Sequence, residues 1–302
     1  MMSSIPPNPI STQAGIGLRT QHINQILDQR VPVPWFELLV DNWLADGGLT
    51  QRYLDEIIER YPVTLHGVGL SLGGTEPLDF TYLGKIKALL QPQNQHNKSE
   101  NQPLWYSEHL CFSQLQSHYS HDLLPLPYTD ESVKHIANRI QQVQDFLGCQ
   151  MLVENVSSYL EYKENALSEG DFINAIVEEA DCNLLLDVNN FYVNQVNHGQ
   201  DAMQQIKALP HHRVKEIHLA GFEDKQTHVV DAHNNPVADE VWSIYEKTLA
   251  LTGPVATLIE WDNDIPELDV LLNERQKAQY FLDARSTINV STINVSTTEK
   301  VA

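Results

Sequence analysis

The stretch VKEIHLAGFEDKQTHVVDAH, residues 214–233, joins an apolar strand to an aspartate and a histidine two residues apart. The strand carries His218 and breaks at Gly221. The stretch closes with Asp231 and His233. Residues two apart in an extended chain point to the same side, so this pair can bind one ion together. Oxygen and imidazole donors without sulfur favour iron, manganese or zinc. We interpret the stretch as one wall of a metal centre to which seven other strands bring further ligands.

Similar apolar runs recur along the chain, separated by segments with apolar residues three and four apart. The eight runs are Gly15–Arg19, Trp35–Val40, Val63–Val68, Leu104–Leu110, Met151–Asn155, Asn183–Val188, Val214–Ala220 and Ala256–Trp261. The clearest helical segments are Asp55–Tyr61, Glu131–Leu147, Ser168–Ala180, Asp201–Leu209 and Asp239–Leu251. Eight near-continuous apolar strands that alternate with helices predict an α/β fold, the (β/α)8 TIM barrel. The alternative is a doubly wound open sheet, which usually has fewer strands. The chain lacks the dinucleotide glycine fingerprint, so we expect no nucleotide cofactor.

The chain divides into three parts on composition. Residues 1–13 are polar and contain proline, which predicts a loose lead-in. The barrel is predicted over residues 14–284, interrupted by a polar surface insertion at 91–102. Residues 285–302, in which STINV occurs twice in tandem, are predicted to form a disordered tail.

The composition indicates which classes of partner are expected and where in the cell the protein is expected to be. The formal net charge of −21 over 302 residues argues against nucleic-acid binding, which requires a basic surface. The sequence shows neither a secretory signal nor an apolar run long enough to span a bilayer, so we expect a cytoplasmic protein with no membrane partner. The three cysteines lack metal-ligand spacing and are expected to be free thiols.

Six successive predicted strands end in histidine, aspartate or glutamate. The candidate metal ligands are His66, His109, Glu154, Asp187, His218, Asp231, His233 and Glu260. Active sites of such barrels lie at the C-terminal ends of the strands. Burying so many carboxylates together would be prohibitive without cations to offset the repulsion. Four imidazoles and four carboxylates exceed what one ion needs, so we infer two or three ions.

Three further residues are weaker candidates for secondary contacts to metal or substrate. Asn155 and Asn189 follow two of the predicted strands directly. His198 follows the LLLDVNN segment on a predicted loop, where a structural role is as plausible as a ligand role.

Longer motifs connect the chain to a known family. The motifs are GIGLR, WFELLVDNW, LHGVGLSLG, SEHL, HDLLPLPYT, LVEN, LLLDVNNFYVN, NHG, EIHLAG, DAHNNPV and IEWDNDIP. Together, from about Gly15 to Leu272, they resemble the multinuclear non-heme iron-dependent oxidase family, which includes the methanobactin biosynthesis oxidase. The resemblance implies a TIM barrel that holds two or three iron ions and uses dioxygen as co-substrate.

The resemblance also implies a substrate and a set of roles. The substrate is a cysteine-containing precursor peptide made on the ribosome, which a partner protein usually helps to deliver. The eight candidate ligands above fall in matching motifs, with Glu154, Asp187 and His233 as the catalytic residues. The sequence leaves two alternatives open. One is a zinc- or manganese-dependent hydrolase or isomerase of the xylose-isomerase-like type, and the other is a non-catalytic protein that stores metal or binds peptides.

Overall fold

The computed structural model describes residues 10–91, 103–115 and 118–298. Its strands are β1 (Ala14–Gly17), β2 (Phe36–Leu39), β3 (Val63–Gly67), β4 (Tyr106–His109), β5 (Phe112–Leu115), β6 (His118–Leu124), β7 (Leu152–Glu154), β8 (Asn183–Asp187), β9 (Val214–Leu219), β10 (Glu223–Asp224), β11 (Val229–Val230) and β12 (Ala256–Ile259). Eight of them form a closed barrel in the order β1-β12-β9-β8-β7-β4-β3-β2, and all eight pairings are parallel. The predicted TIM barrel is confirmed, and each predicted apolar run overlaps one barrel strand.

Helices connect consecutive barrel strands. They are α1 (Ile23–Gln29), α2 (Gly48–Arg60), α3 (Phe80–Leu90), α4 (Asp130–Leu147), α5 (Glu169–Ala180), α6 (Val188–His198), α7 (Ala202–Ala208), α8 (Asp239–Thr252) and α9 (Leu268–Thr298). The five predicted segments correspond to α2, α4, α5, α7 and α8. The helix α6 was not predicted, because it begins directly at the end of β8 without an intervening loop. Asp187 caps it by accepting a hydrogen bond from the Asn190 backbone N–H at 2.6 Å.

A small apolar core fills the lower part of the barrel. In a parallel pair, registered residues face the same side of the sheet. Leu185 is registered with Glu154, and Leu258 is registered with His218. These leucines therefore share the barrel interior with the polar rim. Trp35 and Trp105 complete the same apolar cluster. The rim side chains thus lie above a packed apolar cluster.

One predicted segment outside the barrel, the tail, differs from what the structure shows. The predicted disordered tail is helical from its start, because α9 runs through both STINV copies to Thr298. The Arg285 side chain donates to the carbonyls of Leu249 and Ala250 at the end of α8 and so ties the helix to the barrel at that point. The predicted insertion lies outside the described residues except for Gln91, and the predicted domain boundaries remain predictions.

Two short antiparallel hairpins, β5–β6 and β10–β11, lie in segments where no strand is predicted. No helix among the described residues combines the length and apolar character that crossing a membrane requires. Cys111, Cys149 and Cys182 are free thiols, as predicted.

Candidate metal centre

The structure brings all eight predicted ligands to one end of the barrel. His66, His109, Glu154, Asp187 and His218 lie at or near the C-terminal ends of β3, β4, β7, β8 and β9. Glu260 follows β12 directly, and Asp231 and His233 lie on the loop after β11. Parallel strands in a closed barrel end at a common rim, and the side chains therefore converge.

The first group joins two histidines to a glutamate. Glu154 Oε2 lies 3.2 Å from His66 Nε2 and 3.1 Å from His109 Nε2. The two histidine Nε2 atoms are 3.3 Å apart. His66 Nδ1 lies 2.8 Å from the hydroxyl of Ser107, which itself donates to a backbone carbonyl. His109 Nδ1 donates to the Gly67 carbonyl at 3.1 Å. These contacts occupy the Nδ1 atom of each ring and leave both Nε2 atoms facing Glu154.

The second group shares Glu154 with the first. Four buried side chains place ligand atoms within 4.8 Å of one another: Glu154, Asp187, His218 and Glu260. His218 Nδ1 lies 3.1 Å from Glu260 Oε2 and 3.4 Å from Glu154 Oε1. Glu154 therefore presents one carboxylate oxygen to each group. This is the arrangement by which a single carboxylate bridges two cations.

The third group lies nearer to solvent. His233 Nε2 is 2.7 Å from Asp231 Oδ1, which also accepts a hydrogen bond from Asn189 Nδ2 at 2.7 Å. The other ring nitrogen, Nδ1, faces Asp262 at 3.2 Å and Glu260 at 3.6 Å. The extended backbone expected for this pair is wrong, because His233 has a φ of 47° in the left-handed region. Non-glycine residues adopt this conformation at a cost, and such strain is concentrated at functional sites.

The three weaker candidates occupy different positions. The Asn155 side chain donates from Nδ2 to the Asp187 carbonyl and accepts at Oδ1 from the Asp187 N–H, both at 2.9 Å. It thereby fixes the backbone that carries the Asp187 carboxylate. Asn189 keeps a buried Oδ1 that has no hydrogen-bond partner. His198 is the last residue of α6 rather than a loop residue, and its Nε2 contacts the hydroxyl and carbonyl of Ser158. It is not among the described groups of possible metal ligands.

Five charged residues outside the predicted set contact the predicted ligands, and one of them, Glu108 of β4, lies 3.7 Å from His109 Nδ1. Glu37 of β2 and Glu216 of β9 lie 3.3 and 3.8 Å from His218 Nε2. Asp262 pairs with His233 and with Arg19, and Arg19 also approaches Glu260 to 3.9 Å. A signal was present for Glu216, since it lies two residues before His218 in one strand and must face the same side.

Burial and mutual charge shift the pKa values of the cluster. Burial raises the pKa of Glu37 to about 8. Burial, together with the carboxylates of Glu154 and Asp231, raises the pKa of Asp187 well above its usual range. Burial alone would lower the pKa of His109, but the carboxylates of Glu154 and Glu108 outweigh it and raise the pKa to about 9. Protons therefore offset the negative charge when no cation is bound, and a bound cation would displace them.

Several buried atoms of the site fit a bound cation. Asp187 Oδ2 and Asn189 Oδ1 have no hydrogen-bond partner among the described residues. Glu154 Oε2 and His233 Nε2 lie close to charged groups but form no hydrogen bond of normal geometry. Buried polar atoms are rarely left unpaired. A donor set of carboxylate oxygen and imidazole nitrogen suits iron, manganese or zinc.

The chain is similar in sequence to a known protein family and to several bacterial proteins. The sequence profile of the family described as RiPP precursor modification enzyme MbnB/TglH/ChrH matches residues 13–283. A UPF0276 protein of Acaryochloris marina is 48% identical over 269 residues, which cover 89% of this chain and 94% of that protein. A UPF0276 protein of Anaeromyxobacter is 41% identical over 264 residues, covering 87% and 90%.

Solved structures resemble the chain in fold. A D-psicose 3-epimerase from Clostridium cellulolyticum H10 has a TM-score of 0.56 and 11% sequence identity, covering 91% of this chain and 98% of that one. Identity this low shows the barrel fold alone. The family match, in contrast, is a match of sequence. It extends over residues 13–283 and so includes all eight barrel strands and the rim residues described above. This chain belongs to the MbnB/TglH/ChrH family, whose members are enzymes that modify ribosomally synthesised precursor peptides (RiPPs).

Proposed function

We propose that this protein is a multinuclear non-heme iron-dependent oxidase that uses dioxygen to modify cysteine residues of a precursor peptide. The observation that carries the proposal is the position of Glu154, which presents one oxygen to the pair His66 and His109 and the other to His218. A shared carboxylate between two histidine-containing groups suits adjacent metal ions, as multinuclear chemistry requires.

Each group has a role in the proposed centre. His66, His109 and Glu154 would hold one ion, and Glu154, Asp187, His218 and Glu260 would hold a second. Asp231 and His233, 2.7 Å apart, would hold a third ion, aided by the unpaired Oδ1 of Asn189. Glu154, Asp187 and His233 are the proposed catalytic residues, because they belong to the three groups and line the space between them.

Bound iron would supply redox chemistry with dioxygen and lower the pKa of a thiol brought to it. The protein's own residues determine the surroundings. The His218 side chain is fully buried, whereas the side chains of His233 and Asp231 are 12% and 13% exposed and that of Asp262 is 36% exposed. The centre is thus open on the side of the third group, and the peptide cysteine would approach there.

The proposed substrate is a cysteine-containing precursor peptide, and we further propose a partner protein that delivers it. A cleft of about 440 Å³ beside the rim offers space for a peptide segment. It is lined by Val68 and Gly69, which follow His66 in sequence, and by Tyr119 of the β5–β6 hairpin. A flexible peptide could lie in this cleft while its cysteine reaches the centre.

Anaerobic purification, metal analysis and oxygen-consumption assays with a cysteine-bearing precursor peptide test the proposal. We expect bound iron, oxygen uptake that depends on iron and peptide, and a mass change at the peptide cysteine. Glu154→Ala and His233→Ala should each abolish turnover while the barrel still folds. His212→Ala is the matched control, because this exposed histidine precedes β9 at the opposite end of the barrel.

Two results would contradict the oxidase proposal. Tightly bound zinc or manganese with activity on a sugar would favour a hydrolase or isomerase. Normal metal loading with no turnover of the cognate peptide, even with its delivery partner present, would favour a non-catalytic protein that stores metal or binds peptides.

A further inference from the structure

Two buried carboxylates, Glu37 and Glu216, lie below the metal centre and have no part in the proposed reaction. Their residues are 3% and 0% exposed. Neither forms an ion pair with lysine or arginine within the described residues, and the basic group nearest to both is His218. Burying a carboxylate without a lysine or arginine to balance its charge is unfavourable. A pair kept at this depth therefore requires an explanation.

The contacts of the two carboxylates fix one oxygen of each and leave the other facing His218. The indole N–H of Trp105 donates to Glu216 Oε2 at 2.6 Å, and the hydroxyl of Thr64 donates to Glu37 Oε2 at 3.4 Å. The remaining oxygens, Glu37 Oε1 and Glu216 Oε1, lie 3.3 and 3.8 Å from His218 Nε2. Glu216 Oε1 and His218 Nε2 are buried atoms that lack a hydrogen-bond partner of normal geometry.

The two ring nitrogens of His218 thus face opposite sides. Nδ1 faces Glu260 and Glu154 in the second ligand group, and Nε2 faces Glu37 and Glu216 toward the barrel floor. We propose that Glu37 and Glu216 are positioning residues. They accept a hydrogen bond from the Nε2–H group of His218 and thereby keep its Nδ1 lone pair directed at the second ion. The inference rests on the proposed metal centre but not on its reaction.

A carboxylate behind a metal-bound histidine fixes the ring orientation and tautomer and makes the imidazole a stronger donor. Two carboxylates facing one N–H group strengthen this orientation of the ring, because the N–H keeps a hydrogen-bond acceptor when the ring tilts toward either carboxylate. The alternative role, ligation of an additional ion by Glu37, Glu216 and Nε2, would require His218 to lose both ring protons between two ions.

The test measures metal binding rather than turnover. Metal-free protein is titrated anaerobically with Fe²⁺ against a competing chelator, and ⁵⁷Fe-loaded protein is examined by Mössbauer spectroscopy. For Glu37→Ala we expect an unchanged number of ions per chain, with one ion bound roughly 10–100-fold more weakly. One iron subspectrum should change and the others should not. Glu37→Gln should recover most of the affinity for this ion, because its amide oxygen can still accept a hydrogen bond from the Nε2–H group of His218.

Two variants separate positioning from general damage to the barrel. Thr257→Val removes a buried 2.8 Å hydrogen bond to Tyr245 in the same barrel wall without touching His218, and its metal affinities should match the wild type. Trp105→Phe releases Glu216 and should weaken the same single ion as Glu37→Ala.

Two results would overturn the inference. Wild-type affinities and spectra in both Glu37→Ala and Glu216→Ala would show that neither carboxylate acts on His218. The loss of one whole ion per chain in Glu37→Gln would show that the carboxylates are themselves ligands. If the alanine variants fail to fold, Glu37→Gln and Trp105→Phe still decide between these outcomes. Oxidase failure with these metal-binding results intact would count against the proposed reaction alone.

Discussion

At the scale of single residues, Glu154 has the largest influence on the centre. It is 1% exposed and lies between two histidines of one group and His218 of the next. A carboxylate surrounded by imidazoles at this depth holds its neighbours in place through both of its oxygens. Its loss should therefore affect two ions at once.

The first prediction is that Glu154→Gln lowers the number of bound ions by more than one per chain. An amide cannot supply two negatively charged oxygens, so both groups lose their common ligand. Metal content after anaerobic reconstitution and desalting measures this result. His212→Ala should keep the wild-type content, and a loss limited to one ion in the Glu154 variant would contradict the bridging arrangement.

The sequence was informative about residues that end a strand and uninformative about residues within one. Six of the eight predicted ligands stand out because they lie at or beside the C-terminal end of an apolar run, and the structure brings all eight together at one rim. Glu37 and Glu216 lie inside apolar runs, where a single acidic residue is easily read as a tolerated exception. Glu216 could have been found from its spacing, because it lies two residues before His218 in one strand. Glu37 lies on β2, and only the closed barrel brings it beside His218.

At the scale of elements, the loop that carries Asp231 and His233 packs against the end of β9. A Cβ atom built on Gly221 would lie 2.0 Å from the carbonyl oxygen of Asn235. This close approach requires glycine, because any side chain would push the loop outward. The third ligand group therefore depends on a backbone contact some distance from its own side chains.

The second prediction is that Gly221→Ala removes the ion at the third group while the ions around Glu154 remain. The backbone oxygen of Asn235 cannot move aside without displacing the loop, and the other ligands lie on barrel strands that the substitution does not touch. Metal content and Mössbauer spectra give the readout. Gly84→Ala is the matched control, because this glycine in α3 has open space around its Cβ position and the change should stabilise the helix by about 0.5–1 kcal/mol. Unchanged iron content in Gly221→Ala would refute the expectation.

Element types were predictable where a segment has one clear period. The barrel strands are short apolar runs, and α4 and α5 have apolar residues at helical spacing with a capping Thr129 and Ser168. The helix α6 was not predicted because it follows β8 without a loop and two of the three residues in its first turn, VNN, are polar. The backbone of β8 turns into this helix at Asp187, whose carboxylate both caps the helix and faces the metal centre.

At the scale of the whole molecule, the closed barrel concentrates negative charge at one end. The formal net charge is −21, and several of the carboxylates that contribute to it are buried together. The fold could be predicted because eight strands alternating with helices leave few arrangements. The two hairpins and the path of α9 could not, because they depend on contacts between distant segments.

The third prediction concerns stability and pH. Glu37 ordinarily ionises near pH 4.5 and does so at a pKa of about 8 in the folded, metal-free protein. The pKa of His109 is raised from 6.5 to about 9. The folded state therefore binds more protons than the unfolded state, and its stability must fall as the pH rises through this range. Thermal unfolding of the metal-free protein should show a falling Tm from pH 7 to pH 9.

Metal-loaded protein provides the comparison for this prediction. Bound cations take the place of the protons, so the Tm should fall less over the same range and the metal affinity should rise with pH. A Tm that rises between pH 7 and pH 9 in the metal-free protein, or an equal slope in both forms, would contradict the description of a cluster balanced by protons.

Anomalous diffraction at the iron edge, from crystals grown anaerobically with ferrous iron, tests the central claim most directly. We predict one peak within bonding distance of His66, His109 and Glu154, and another within bonding distance of Glu154, Asp187, His218 and Glu260. A third peak is predicted beside Asp231 and His233. An ordered rim with no anomalous peak among these side chains, or iron bound only elsewhere on the protein, would contradict the claim.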